Sequence, residues 1–171
     1  MATSNLGLGA DFDIGACITP VNLQTGTNNG HRIHLANYGA VTFVGYLANG
    51  SAGNAPVFDL QEHDANTAGV SQDLDVIDEY WHKEAASLAG TETWTRNTQA
   101  AASEVTDADR DDANEVLIAF KVRAEQLSDG FEWVSIQVAQ PGGGSPLGCV
   151  LAIMHDLKVA RSPQNLVQPN A

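Results

Sequence analysis

Basic residues are scarce in this sequence, and charged residues of either sign are few. Only 17% of the 171 residues are Asp, Glu, Lys or Arg, and 8 basic residues stand against 21 acidic ones, which gives a formal net charge of −13 at pH 7. Proteins that hold nucleic acid or an anionic membrane surface do so largely through Lys and Arg. The composition therefore predicts neither a nucleic-acid partner nor a membrane partner. It suits a soluble chain, and equally a chain that meets a basic protein surface.

Long apolar runs and clustered cysteines are also missing. No segment approaches the roughly 18 consecutive apolar residues that a membrane-spanning helix needs. The N-terminal residues lack the basic and apolar regions of a signal peptide, so none is predicted. The two cysteines, Cys17 and Cys149, match no zinc or CxxC spacing. We expect both to be free, buried thiols.

No motif for catalysis, a cofactor or a metal is complete. Ser145 is not the nucleophile of a G-x-S-x-G turn, because Leu147 stands where that motif requires glycine. The acidic segment 107–115 is not an EF-hand loop, because Asp112 and Ile118 occupy the positions of its Gly and its Glu. A looser calcium site in this segment is an alternative to a solvated loop. We therefore expect a protein that is not an enzyme and that holds no cofactor.

Short segments in which apolar and polar residues alternate make up much of the sequence, with Gly, Asn, Ser and Pro between them. This pattern is typical of β-strands joined by turns. The strands are predicted over residues 40–47, 56–63, 116–123, 131–139 and 147–160. Together they favour an all-β fold, an antiparallel β-sandwich or jelly roll. At most one short helix is expected, within residues 74–88, because Leu74, Ile77 and Trp81 recur at helical spacing.

The two ends of the chain have a different character from its centre. Residues 1–30 form an extended N-terminal arm, residues 31–161 the β-sandwich domain, and residues 162–171 an extended C-terminal tail in this interpretation. The arm has two interpretations: it lies on a neighbouring subunit, or it contributes strands and turns to the domain itself.

The segment 149–154 is apolar at every position, so a strand there is covered on both faces. It is either central in a sandwich or covered by a neighbouring subunit. The second interpretation favours a homo-oligomer, with a trimer as the preferred state. The residues that we predict to form an assembly interface are Leu6, Leu8, Phe12, Ile14, Val150, Ala152, Met154, Leu166 and Val167.

Aromatic residues supply the second candidate site. Trp81, Trp94 and Trp133, with Tyr80, could stack on sugar rings, and β-sandwiches can carry such platforms. Large aromatic side chains are also common in protein cores and interfaces. The pattern therefore leaves a carbohydrate-binding module as an alternative function.

Two blocks of the sequence resemble the virion structural proteins of tailed bacteriophages. The blocks are AVTFVGYLANGSAGNAPVFDLQEHDANTAG and AFKVRAEQLSDGFEWVSIQVAQPGGGSPLGCVLAIMHDL, and the similarity covers roughly residues 31–63 and 116–160. The resemblance implies a head-decoration (cement) protein in the virion, assembled in the host cytoplasm, with the major capsid protein as its partner. It implies no catalytic residues. Residues 64–115 match no part of that pattern, so a head–tail adaptor or a tail protein stays an alternative.

Overall fold

The computed structural model describes residues 7–105, 113–144 and 146–167, and its regular structure is almost entirely β-strand. The strands are β1 (Phe12–Asn22), β2 (Asn28–Asn29), β3 (Ile33–His34), β4 (Tyr38–Leu47), β5 (Phe58–His63), β6 (Ser71–Asp73), β7 (Ile77–Ala85), β8 (Thr95–Ala102), β9 (Glu115–Arg123), β10 (Trp133–Val138) and β11 (Leu147–Leu157). Three single 3₁₀ turns are the helical elements of the described residues. The all-β prediction is confirmed.

The strands form two antiparallel sheets. The large sheet has the order β1-β11-β4-β9-β7-β8, and the small sheet has the order β2-β10-β5-β6, with β3 also paired to β10. The residues that follow β8 pass to the small sheet and form backbone hydrogen bonds with β5. The amide of Leu60 donates to the carbonyl of Ser103, and the amide of Val105 donates to the carbonyl of Phe58. The two sheets therefore make the predicted β-sandwich, and β8 joins them at one side.

The core lies between the sheets and is built by two-residue alternation along the strands. Val41 and Phe43 of β4 are fully buried, as are Ile118 of β9 and Ile136 of β10, while Lys121 points to solvent. Alternation of this kind places one face of each strand inside. The five strands that the sequence predicts are all present in the structure.

The strand β11 is central, and this corrects the predicted interface. It lies between β1 and β4 in the large sheet, and Val150, Ala152 and Met154 point into the core, where they are buried. These three residues cannot contact a partner, because the small sheet already covers them. The alternative that places the strand centrally within the sandwich is the one observed.

The predicted boundary at residue 30 is also corrected, because much of the N-terminal segment belongs to the large sheet. The strand β1 pairs along its length with β11, and Cys17 and Leu23 are buried in the core. Buried Asp13 accepts a 2.7 Å hydrogen bond from the Tyr38 hydroxyl of β4. Residues 12–29 are therefore part of the sandwich rather than a separate arm.

The segment with helical spacing is strand β7, and a β-bulge explains the misleading pattern. The pairing of β7 with β8 shifts register between Ile77 and Glu79. The inward residues are consequently Ile77, Tyr80 and His82, so the first step along the strand is three residues long. An extra residue at a bulge breaks the two-residue period, and a three-residue step resembles a helix.

Candidate assembly surface

The outer face of the large sheet is the face that points away from the small sheet. Strand pairing aligns its side chains in rows that cross the sheet. The central row is Ala16, Leu151, Val44, Ala119 and Trp81, one residue from each of β1, β11, β4, β9 and β7. Four of its five members are aliphatic and the fifth is an indole, so the row forms a continuous apolar band.

Two further rows flank the central one. On one side lie Ile14, Ile153, Thr42 and Lys121, and on the other lie Cys149, Tyr46, Leu117 and Lys83. Each row is mainly apolar at its start and ends in a lysine. The lysine is Lys121 of β9 in the first row and Lys83 of β7 in the second. The outer face therefore has two parts with different chemistry.

The apolar half comprises Ile14, Ala16, Val44, Tyr46, Leu147, Leu151 and Ile153. Its larger side chains are open to solvent: Leu147 is 61% exposed, Ile14 is 48% exposed, and Leu151 and Tyr46 are each 41% exposed. Contiguous exposed apolar surface is uncommon on proteins that act alone, and it marks sites of contact with other molecules. This half is the candidate assembly surface.

The second half carries an aromatic groove on β7, β8 and β9. A depression of about 310 Å³ is lined by Thr42, Trp81, Trp94, Ala119, Phe120 and Lys121. Trp81 is 39% exposed and Trp94 is 43% exposed. The ammonium of Lys83 lies 4.9 Å from the centre of the Trp94 ring, within the range of a cation–π contact.

Two cations beside the groove, Arg96 and Lys121, are paired with carboxylates. The Arg96 guanidinium donates two hydrogen bonds to one carboxylate oxygen of Glu79, and the bond from its Nε is 2.8 Å long. That contact is the main reason why the pKa of Glu79 is lowered and the pKa of Arg96 is raised. Lys121 lies 3.8 Å from the Asp156 carboxylate. Pairing of this kind lowers the cost of removing water from the surface.

The structure distributes the predicted interface residues over different surroundings. Ile14 lies on the outer face, and Phe12 is half-buried on the same face, where it pairs with His155 in the next row. Leu8 is half-buried beside Phe12. Leu166 is half-buried and Val167 is exposed near the end of the described chain. Leu6 falls outside the described residues. Of the predicted set, Ile14 belongs to the apolar half, and Phe12 lies in the row beside it.

Sequence reasoning missed the remaining apolar residues of the surface. Leu147, Leu151 and Ile153 alternate along β11 with the buried residues that were predicted in their place. The signal was present, because the strand is apolar on both faces. What the sequence does not contain is the direction in which each face points.

The four aromatic residues of the predicted sugar platform also lie in different surroundings. Trp133 is buried and stacks on His34, with ring centres 4.1 Å apart and planes 5° from parallel. Tyr80 is also buried, so neither ring is open to a ligand. Trp81 and Trp94 are the two aromatic residues of the predicted sugar platform that share an open depression.

In the part of the chain that the structure describes, no group of three or more His, Cys, Asp or Glu side chains is placed to hold a metal ion. The acidic residues 107–112 and Ser145 fall outside that part. Both cysteines are free, as predicted, but only Cys17 is buried, while Cys149 is half-buried on the outer face.

Among the described residues, no helix combines the length and the apolar character that crossing a membrane demands.

No protein-family model matches the chain, and no curated protein matches it. Among solved structures, the chain is similar to the SPBc2 prophage-derived protein YomS, with a TM-score of 0.42 and 12% sequence identity. The match covers 84% of this chain and 92% of the other. A similarity at this level says nothing of what either protein does.

Proposed function

We propose that this chain is a structural protein of a tailed-bacteriophage virion, which decorates the capsid and stabilises it by binding across joints between major capsid protein subunits. It acts by contact and not by catalysis, and its place is the virion. The observation that carries the proposal is the exposed apolar half of the outer face. The resemblance of residues 31–63 and 116–160 to virion proteins supports the same function.

The geometry of the apolar half suits a contact with another protein. Its side chains stand on three adjacent paired strands, so the surface is held rigid by main-chain hydrogen bonds. A rigid surface loses little conformational entropy when it binds. Burial of apolar area supplies a favourable free energy of roughly 25 cal/mol per Å². Binding only to the assembled shell then stabilises that shell by mass action.

A single substitution at the centre of the surface tests the proposal. In Leu151→Glu, the new carboxylate is solvated in the free protein, because the side chain it replaces is 41% exposed. In a contact it would be buried without a partner, which is costly. We expect occupancy on purified phage heads, measured by quantitative mass spectrometry, to fall at least about tenfold.

Val70→Glu is the matched control. Val70 is 52% exposed and precedes β6, an edge strand of the small sheet, which has no part in the outer face. This variant should occupy heads like the unchanged chain, and both variants should keep the same thermal midpoint. If Leu151→Glu occupies phage heads as fully as the unchanged chain does, the apolar half does not form the contact with the capsid.

Copy number separates cement from the other virion roles. Hundreds of copies per particle are expected for a decoration protein, and about a dozen for a head–tail adaptor. A homotrimer remains part of the proposal, and it would use the outer face, since the core face of β11 is already covered. Sedimentation of the isolated protein measures that state directly.

A further inference from the structure

The aromatic groove continues into a second, polar depression. That depression has a volume of about 540 Å³ and shares Trp81, Phe120 and Lys121 with the aromatic one. Its other lining residues include Asp78, Arg123 and Gln126. The two depressions form one elongated site across β7 and β9, with indoles at one end and hydrogen-bonding groups at the other.

Strand pairing fixes the aromatic end of this site. Trp81 lies directly opposite Arg96, and His82 opposite Thr95, so Trp94 and Lys83 are neighbours across the same two strands. The indole Nε1 of Trp81 donates a 3.0 Å hydrogen bond to Glu79, which also binds Arg96. Cross-strand contacts and this hydrogen bond hold the Trp81 ring in place before any ligand arrives.

We propose that this groove binds a neutral oligosaccharide built from pyranose rings. A pyranose presents apolar C–H faces, which pack on indole rings, and hydroxyl groups that both donate and accept hydrogen bonds. The indoles of Trp81 and Trp94 match the first surface. The carboxylate of Asp78, the ammonium of Lys121 and the amide of Gln126 match the second. Sites for small ligands typically combine an apolar lining with a few polar groups.

The charge pattern favours a neutral sugar over an acidic one. Three of the four cations around the groove already have carboxylate partners: Arg96 binds Glu79, Arg123 lies 3.3 Å from Glu125, and Lys121 lies 3.8 Å from Asp156. The fourth, Lys83, lies over the Trp94 ring. An acidic sugar would have to compete with these carboxylates. A hydroxyl can bond to the paired groups without displacing them.

This site goes beyond the proposed structural function and does not depend on it. The groove lies on β7, β8 and β9, whereas the apolar half lies on β1, β11 and β4. The same chain could therefore hold a protein through one part of the outer face and a glycan through the other.

The test uses the full chain on an array of immobilised neutral and acidic oligosaccharides, with calorimetry on the neutral oligosaccharide of strongest signal. We expect binding to neutral members. Trp81→Ala and Trp94→Ala should each lower the association constant at least about tenfold, because each removes an aromatic stacking face. Trp94→Phe should retain part of the affinity.

Tyr46→Ala is the matched control, because Tyr46 is an equally exposed aromatic residue of the outer face that lies outside the groove. Its affinity should be unchanged. Three results would overturn the proposal. They are an array without signal, a signal confined to acidic glycans, and binding that survives both tryptophan substitutions. Leu151→Glu should bind glycan normally, so failure of the assembly function and failure of this site are distinguishable.

Discussion

At the scale of single residues, His63 is the titratable group that the fold constrains most clearly. Its ring nitrogens lie 2.7 Å from the Ser71 hydroxyl and 2.8 Å from the Ser135 hydroxyl. Burial lowers the pKa of His63 to about 4 from its ordinary 6.5, and the Arg32 guanidinium contributes to the same shift. The nearby carboxylates Asp64 and Glu62 oppose it.

This pKa predicts how stability depends on pH. Above pH 6.5 the imidazole is neutral in both the folded and the unfolded chain, so its contribution to stability is fully present. Between 6.5 and about 4 the unfolded chain binds a proton that the folded chain does not. The free energy of unfolding should therefore fall as the pH is lowered through this window.

Chemical denaturation at a series of pH values measures the effect. His63→Gln, which keeps a hydrogen-bonding side chain but cannot be protonated, is the control. It should lose less stability than the unchanged chain over the same window. If the two chains lose stability in parallel, the pH dependence belongs to other groups.

At the scale of elements, β11 shows how one strand serves two purposes. Met154 is buried in the core and Leu151 points outward from the same strand. Removing a fully buried side chain leaves a cavity and costs about 2–5 kcal/mol, whereas an exposed position costs much less. Met154→Ala should therefore destabilise the isolated protein by that amount.

Leu151→Ala is the comparison on the opposite face and should cost less than about 1 kcal/mol. Denaturant unfolding of both variants measures the difference. Equal losses would mean that the register of β11 differs from the one described.

The sequence predicts those strands whose alternation is unbroken. Val116–Arg123 and the following two strands are regular, and the structure has β9, β10 and β11 there. The alternating pattern of β7 is interrupted by its bulge near Ile77, so the sequence did not predict this strand. β1 was obscured by its own register shifts between Ala16 and Val21, which interrupt the period. Local irregularity therefore explains both errors.

The candidate site was predicted less completely than the fold, for a different reason. The apolar character of Cys149–Met154 pointed to a contact surface, and part of the surface lies there. Which of its two faces is inside depends on the side from which the small sheet packs against it. That sheet is built from strands elsewhere in the sequence, so no pattern within β11 records the choice.

At the scale of the whole molecule, charge and apolar surface are arranged unevenly. The formal net charge is −13, yet four of the 8 basic residues, Lys83, Arg96, Lys121 and Arg123, lie on β7, β8 and β9. There they pair with carboxylates or with Trp94, beside the apolar half. The apolar half carries none of these four basic residues, so its burial requires little loss of charge solvation.

The two cysteines allow a direct measurement of whether the outer face is covered in the virion. Cys149 is half-buried on that face, opposite Tyr46. Cys17 is buried in the core, and burial raises its pKa to about 12, so its thiol should stay unreactive. Alkylation followed by mass spectrometry measures the reaction rate of each of the two thiols separately.

The decisive comparison is the alkylation rate of Cys149 in the free protein and in purified phage particles. Val70→Cys, on the side of the small sheet, provides an exposed reference thiol. If the outer face binds the capsid, Cys149 should react at least about tenfold more slowly in particles, while the introduced reference thiol keeps its rate. An unchanged rate for Cys149 in particles would contradict the assembly function at its central point.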